Sequence, residues 1–194
     1  LSFSFSRQEM EDYIRMADEE VERLVEMVNR ILDFSRRPSD KFEILNVNRV
    51  VKTVTDLANK YLQHRHVVLR ESFDTPMPPV EGNPTTLGQV VLNLIINGVE
   101  AMPEGGELAI STKHSNNEHI EICVSDSGMG IPQEELSKIF EPFYSTKADG
   151  TGLGLSISQS IVTQHRGEIT VESKSGEGTL FTVTLPVYGN EPAT

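Results

Sequence analysis

The chain has 194 residues, 37% of them apolar and 24% charged, and no low-complexity tract; this balance describes a globular protein and excludes a disordered or fibrous one. Seventeen basic against 29 acidic residues leave a net charge of −12, a surface unsuited to phosphate backbones or anionic lipid, so nucleic acid and direct membrane contact are not expected. The single cysteine, Cys123, excludes an internal disulfide and a cysteine-rich zinc site, and its apolar surroundings at residues 120–124 read as a buried position.

The start, Leu1-Ser2-Phe3-Ser4-Phe5, has neither an initiator Met nor a signal-peptide pattern, so the chain reads as a piece of a longer protein. Ser6 and Glu9 form a capping box that opens a helix over residues 7–37. Met10, Ile14, Ala17, Val21, Leu24, Val28 and Ile31 alternate spacings of four and three, a heptad seam that stops at Pro38. Such a helix needs a partner for its stripe, either a second helix in a coiled-coil-like bundle or the surface of the following domain. Residues 36–40 read as a junction, and residues 42–47 as a strand.

Asn48 is placed to cap a helix running to about Gln63, and residues 67–73 read as a strand. The Pro-rich stretch 75–79 is a loop, and Pro84 opens an apolar helix to about Met102. Gly105-Gly106 turns into two strands, 107–113 and 119–125, followed by a short helix at 133–139. A last helix starts near Gly152 and ends before Gly167, and strands 168–173 and 179–187 form a hairpin across Gly176-Glu177-Gly178. This order predicts a two-layer α/β sandwich.

Four motifs carry chemistry. Asn93 and Asn97, at i and i+4, share a helix face with Glu100 close by. Their oxygens suit a hard cation such as magnesium, or else the amides bond neighbouring backbone. Asp126-Ser127-Gly128-Met129-Gly130-Ile131-Pro132 follows a strand. A carboxylate fixed there accepts from an exocyclic amine, and the glycines let a ligand approach, although such a motif also serves as a plain turn. Gly150-Thr151-Gly152-Leu153-Gly154-Leu155-Ser156 leads into a helix and offers an anion site, yet it matches neither a P-loop nor the dinucleotide fingerprint. Before it, the segment Phe140 to Lys147 joins aromatics, either core or ligand-facing, to a lysine that is either solvated or bound to phosphate.

In this order, between residues 93 and 154, the motifs resemble the catalytic ATP-binding domain of sensor histidine kinases. That domain belongs to the GHKL superfamily, with type II topoisomerases, heat-shock chaperones and mismatch-repair ATPases. The N box is residues 93–97, the first glycine box 126–130, the F box 140–143 and the second glycine box 150–154. Residues 20–37, ending Ile31-Leu32-Asp33-Phe34-Ser35-Arg36, resemble the second helix of the kinases' dimerisation and phosphoacceptor hairpin.

The resemblance implies an α/β sandwich of the Bergerat type, a mixed sheet under three helices, preceded by one long heptad-patterned helix. It divides the chain into an incomplete hairpin helix (1–38), a linker (39–41) and a catalytic domain (42–190). It implies a site for ATP or ADP with Mg2+, in which Asn97 coordinates the metal, Asn93 lies by the phosphates and Asp126 bonds the adenine amine. Gly128, Gly130, Ile131, Phe143, Tyr144, Ser145, Thr146, Lys147, Gly150, Thr151, Gly152, Leu153, Gly154, Leu155 and Thr179 complete the implied nucleotide site, with Asn93 and Lys147 supporting catalysis. The second glycine box and the segment before it would form a lid, here with only Ala148-Asp149 between Lys147 and Gly150.

Two positions depart from the family pattern. Gly98 stands where alanine is usual, at a helix-propensity cost of about 1 kcal/mol, and Arg166 stands where a glycine often precedes Gly167. None of the five histidines, His64, His66, His114, His119 and His165, is followed by the acidic residue of a phosphoacceptor. His64 and His66 are expected to be exposed. The acceptor is therefore expected upstream of Leu1, and this chain alone is expected not to phosphorylate itself.

The function implied is transfer of the ATP γ-phosphoryl group to a histidine outside the chain, for relay to an aspartate of a response regulator receiver domain. The resemblance also implies a homodimer through the hairpin and a cytoplasmic location, with membrane anchoring of the parent protein left open. The other readings are a nucleotide-binding regulatory module without kinase activity and a serine kinase of the anti-sigma-factor type. The heptad helix ending in Asp33-Phe34-Ser35-Arg36 favours the histidine kinase.

Overall fold

The side chain of Asn46, rather than that of Asn48, caps the first described helix. In the computed structural model residues 41–116, 118–147 and 150–189 are described. The helix expected at 7–37, the junction at 36–40 and lid residues 148 and 149 lie outside them. The chain divides into the units Leu1–Asp40 and Lys41–Thr194, and the second holds every described residue.

Strand β1 (Glu43–Leu45) leads into α1 (Val47–His64). Asn46 is extended, and its Oδ1 accepts the Asn48 N–H at 2.9 Å. Asn48 is spent elsewhere: its Nδ2 donates to the Asp74 carbonyl at 2.9 Å and its Oδ1 accepts from Thr112 Oγ1 at 2.6 Å, tying the helix start to the sheet. The buried stripe of α1, with Val47, Val51, Val54, Ala58 and Leu62, keeps helical spacing.

Strand β2 (Val67–Phe73) matches the predicted range, whereas β3 (Val80–Gly82), paired antiparallel with β1, has no counterpart among the predicted elements. Helix α2 (Pro84–Glu100) starts with Pro84 inside the first turn and with Asn83 Oδ1 accepting from Thr85 and Thr86 N–H. It ends at Glu100, short of the Met102 expected. Strands β4 (Gly106–Asn116) and β5 (His119–Asp126), helix α3 (Gly154–Gln164) and the hairpin β6 (Glu168–Lys174) and β7 (Gly178–Pro186) complete the fold.

The five-stranded sheet has the order β2-β4-β5-β7-β6, with β2 and β4 parallel and the remaining neighbours antiparallel. Along β7 the residues Thr179, Phe181, Val183 and Leu185 turn inward, the period of two that a half-covered sheet requires. Helix α2 packs between α1 and α3, and Val51, Leu62, Val91, Leu94, Ile95, Leu108, Ile122 and Val183 join helices and sheet in one core. Burying each such side chain contributes about 1.5–3 kcal/mol. The result is the two-layer sandwich with a mixed sheet and three helices.

The helix expected at 133–139 is instead a run of turns. The N–H groups of Glu135, Lys138 and Glu141 each reach a carbonyl three residues back, and that of Ile139 reaches Glu135 four back. Such bonding closes successive turns without a continuous helical ladder. Among the described residues no helix is long and apolar enough to cross a membrane. His64 and His66 are exposed and Cys123 is buried, as expected.

Candidate functional site

Asp126 is the last residue of β5, and its backbone stands in register with Leu108 on one side and Thr179 on the other. It is 8% exposed. The Gly128 N–H donates to Oδ1 at 2.9 Å. Burial pushes this carboxyl above the usual carboxylate range, while the N–H groups of Gly128 and Thr179 and the charge of Lys147 draw it back down. A fixed, nearly buried carboxylate with lone pairs to spare is equipped to accept from an amine.

The loop after Asp126 is clamped from both sides. The Met129 N–H donates to the Ala101 carbonyl at the end of α2, and the Gly176 N–H of the β6–β7 turn donates to the Met129 carbonyl. The Ile131 N–H donates to Ser173 Oγ at 2.8 Å, and that hydroxyl donates to the Gly178 carbonyl at 2.7 Å and lies 3.1 Å from the Thr179 hydroxyl. A β-carbon at Gly128 would fall 2.6 Å from the Ala101 carbonyl oxygen, and Gly130 has a φ of +67° against the Lys174 carbonyl. Both positions therefore require glycine. Ser173 is not legible in the sequence, because no spacing signal marks a strand residue that reaches across to a loop.

On α2, Asn93 Nδ2 donates to Ser158 Oγ of α3 at 3.0 Å, so this amide bridges two helices rather than bonding its own backbone. A β-carbon on Gly154 would collide with Asn93 Oδ1; glycine there lets the first turn of α3 close on α2. Asn97 is half-buried, and among the described residues its side-chain amide has no hydrogen-bond partner. The start of α3 has no side-chain cap, so the N–H groups of its first turn, which have no partner within the helix, suit an anion.

The segment before α3 folds back on it. The Phe143 N–H donates to the Gly152 carbonyl at 2.9 Å. Phe143 itself is 77% exposed with a φ of +67°, whereas Phe140 and Tyr144 pack against the core. Of the two aromatics in the F box, only Phe140 is thus a core residue. Burial, then Glu135, Glu141 and Glu134, push the Tyr144 hydroxyl up. Ser145 Oγ accepts the Lys147 N–H at 3.1 Å, the Gly150 N–H donates to the Lys147 carbonyl at 3.2 Å, and Lys147 Nζ pairs with Glu100 Oε2 at 2.5 Å. Thr146 and Thr151 are exposed, while Ile131 and Leu155 lean on the core and Thr179 is buried.

These elements converge from the ends of α2, β5 and β7 and the start of α3. The arrangement offers a carboxylate for an amine, glycine cradles for a flat ligand, N–H groups and a lysine for an anion, and the amide oxygen of Asn97 for a hard cation. Among the described residues no group of three or more His, Cys, Asp or Glu could hold a metal. A cation here would rest on an amide oxygen and on oxygens of the ligand itself, a donor set that suits magnesium. A groove of about 380 Å³ beside Ile44, Arg49, Thr53 and Pro84 shares no residue with this cluster.

The sequence profile described as "Histidine kinase-, DNA gyrase B-, and HSP90-like ATPase" matches residues 82–189. Sporulation kinase E of Bacillus subtilis is 34% identical over 178 residues, covering 92% of this chain and 24% of that protein. The catalytic domain of the histidine kinase ThkA superposes with a TM-score of 0.69 at 32% identity, covering 76% of this chain and 96% of that one. ThkA solved in complex with the response regulator protein TrrA is similar with a TM-score of 0.75 at 28% identity, covering 97% of this chain and 55% of that one. The chain spans less than half the length of the curated relatives it matches, from 24% to 41%.

Proposed function

This chain belongs to the histidine kinase-, DNA gyrase B- and HSP90-like ATPase family, and from that premise we propose that it binds ATP with Mg2+ and donates the γ-phosphoryl group to a protein histidine outside its own sequence. The observation that carries the reading is Asp126: a nearly buried carboxylate held by the Gly128 N–H, beside glycine-lined approaches and packed against α2 at Gly98, the residue after Asn97.

In this reading Asp126 accepts from the adenine amine, and Gly128, Gly130 and Ile131 border the base, with Thr179 beside the carboxylate. The segment from Phe143 through Leu155 borders the phosphates, with the N–H groups at the start of α3 and Lys147 supplying positive potential. Asn93, fixed by Ser158, holds α2 and α3 at the spacing that the phosphates need. Asn97 would hold the magnesium ion, whose charge offsets that of the phosphates when bound. Catalysis is then positioning and charge stabilisation around the transferred group: the histidine ring nitrogen forms the new P–N bond as the bond to the ADP oxygen breaks.

The acceptor histidine lies on a helical hairpin whose second helix is residues 1–38, joined by a linker at 39–41 to the catalytic domain at 42–190. The hairpin makes a homodimer, and it presents the phosphohistidine to a response regulator receiver domain; the similarity to ThkA, solved with the response regulator protein TrrA, supports the second of these. The location is cytoplasmic. Labelled ATP and Mg2+, incubated with this chain and a separate hairpin fragment bearing a His followed by an acidic residue, should yield acid-labile phosphohistidine on the fragment and none on this chain. Labelling of His64, His66, His114, His119 or His165, or no transfer at all, would refute the reading.

A further inference from the structure

Glu100 is the last residue of α2 and lies three residues beyond Asn97, so the two share one side of the helix. Its Oε2 accepts from Lys147 Nζ at 2.5 Å, with the two side chains 27% and 43% exposed. The backbone of Lys147 is held in turn, its N–H by Ser145 Oγ and its carbonyl by Ser145 Oγ and the Gly150 N–H. The same ammonium reaches far enough to help draw the Asp126 carboxyl down. One lysine thus answers two carboxylates at the edge of the nucleotide site.

An ammonium paired at hydrogen-bond distance has its charge partly offset by the partner carboxylate, so it attracts a ligand a few ångströms further out less than an unpaired one would. Its donors are also partly committed. We infer that Glu100, acting through Lys147, is a positioning residue that limits how strongly this site favours a nucleotide carrying more phosphate charge. The inference rests on the ATP-site reading. Glu100 holds the ammonium on the protein, and the phosphates must compete with it for the lysine. Glu100 thereby tempers the preference among adenosine, ADP and ATP through the lysine rather than through a contact of its own.

Calorimetric titration of adenosine, ADP and ATP, each with Mg2+, into the wild-type chain and Glu100→Gln tests this. The glutamine keeps the shape and removes the charge. Glu100→Gln should bind ATP roughly fivefold tighter, ADP by a smaller factor, and adenosine with unchanged affinity, and the ATP gain should shrink in high salt. In a Lys147→Met background the same substitution should gain about twofold or less, because no ammonium remains to be released. ATP bound no more tightly, an equal change for all three ligands, or a gain indifferent to Lys147 would each overturn the inference while leaving the site reading intact. A wild-type chain that binds none of the three would overturn the site reading and the inference with it.

Discussion

Gly98 and Asp126 meet where α2 passes the end of β5: a β-carbon on Gly98 would fall 3.3 Å from Cβ of Asp126 and 2.8 Å from Cδ1 of the fully buried Leu108. The glycine that looked like a weakness beside the N box is what lets the helix approach the carboxylate. Gly98→Ala gains about 1 kcal/mol of helix propensity and incurs about 1–3 kcal/mol of overpacking. The variant should lose about 1 kcal/mol in denaturant unfolding. A net gain would mean that Leu108 yields and that propensity decides.

Arg166 shows the opposite relation between residue and backbone. Its φ is +57°, a conformation in which an L side chain costs about 1 kcal/mol or more and glycine does not. The ion pair with Glu81 is long, 3.9 Å, and exposed, so its loss costs little. Arg166→Gly should therefore raise stability by roughly 1 kcal/mol, read as a higher Tm. An unchanged or lower Tm would show that the other contacts of Arg166 outweigh the backbone gain.

His165 gives the fold a pH dependence. It is 3% exposed, its Nε2 accepts the Asn83 N–H at 2.9 Å, and its Nδ1 donates to the Ile161 carbonyl at 2.7 Å, a pairing that only the neutral ring can make. Burial holds its pKa below the ordinary 6.5. The unfolded chain therefore takes up the proton first. The contribution is complete above pH 6.5 and is lost as the pH falls below it, towards the lowered folded value. Urea unfolding at pH 7.5 and about pH 5.5 should show lower stability at the acid end, with a slope of at most about 1.4 kcal/mol per pH unit from this group. His165→Gln should flatten that slope. A slope unchanged in the variant would assign it to other groups.

Asn97→Ala should weaken ATP binding more in the presence of Mg2+ than in its absence, since the amide oxygen is assigned to the metal. Titrations with Mg2+ and with EDTA separate the cases. Equal losses would indicate damage to α2 rather than loss of a ligand.

The sequence was most legible where breakers bound an element or where spacing alone brings residues together. Strand β2 sits between a helix end and a Pro-rich loop, and its predicted range matches the structure. Asn93, Asp126 and Gly154 stand out by spacing, and the fold brings them to one end of the sandwich. Other features depend on partners distant in sequence. In Asn46-Val47-Asn48 either asparagine could cap, and only the sheet, through Asp74 and Thr112, claims Asn48. Strand β3 has three residues, too few for a period. Ser158 and Ser173 gain meaning only when α3 meets α2 and the β6–β7 hairpin meets the loop after Asp126.

Recognition of adenine by Asp126 is the centre of the proposal, and one calorimetric comparison tests it most directly: ATP and GTP, with Mg2+, titrated into the folded wild-type chain and into Asp126→Asn. The wild-type chain should bind ATP saturably and prefer it to GTP. Asp126→Asn should lose roughly 1.5–3 kcal/mol of ATP affinity, the worth of a hydrogen bond to a charged group, and its preference for ATP should fall with it. No saturable ATP binding at millimolar nucleotide, or an ATP/GTP preference untouched by the substitution, would contradict the assignment.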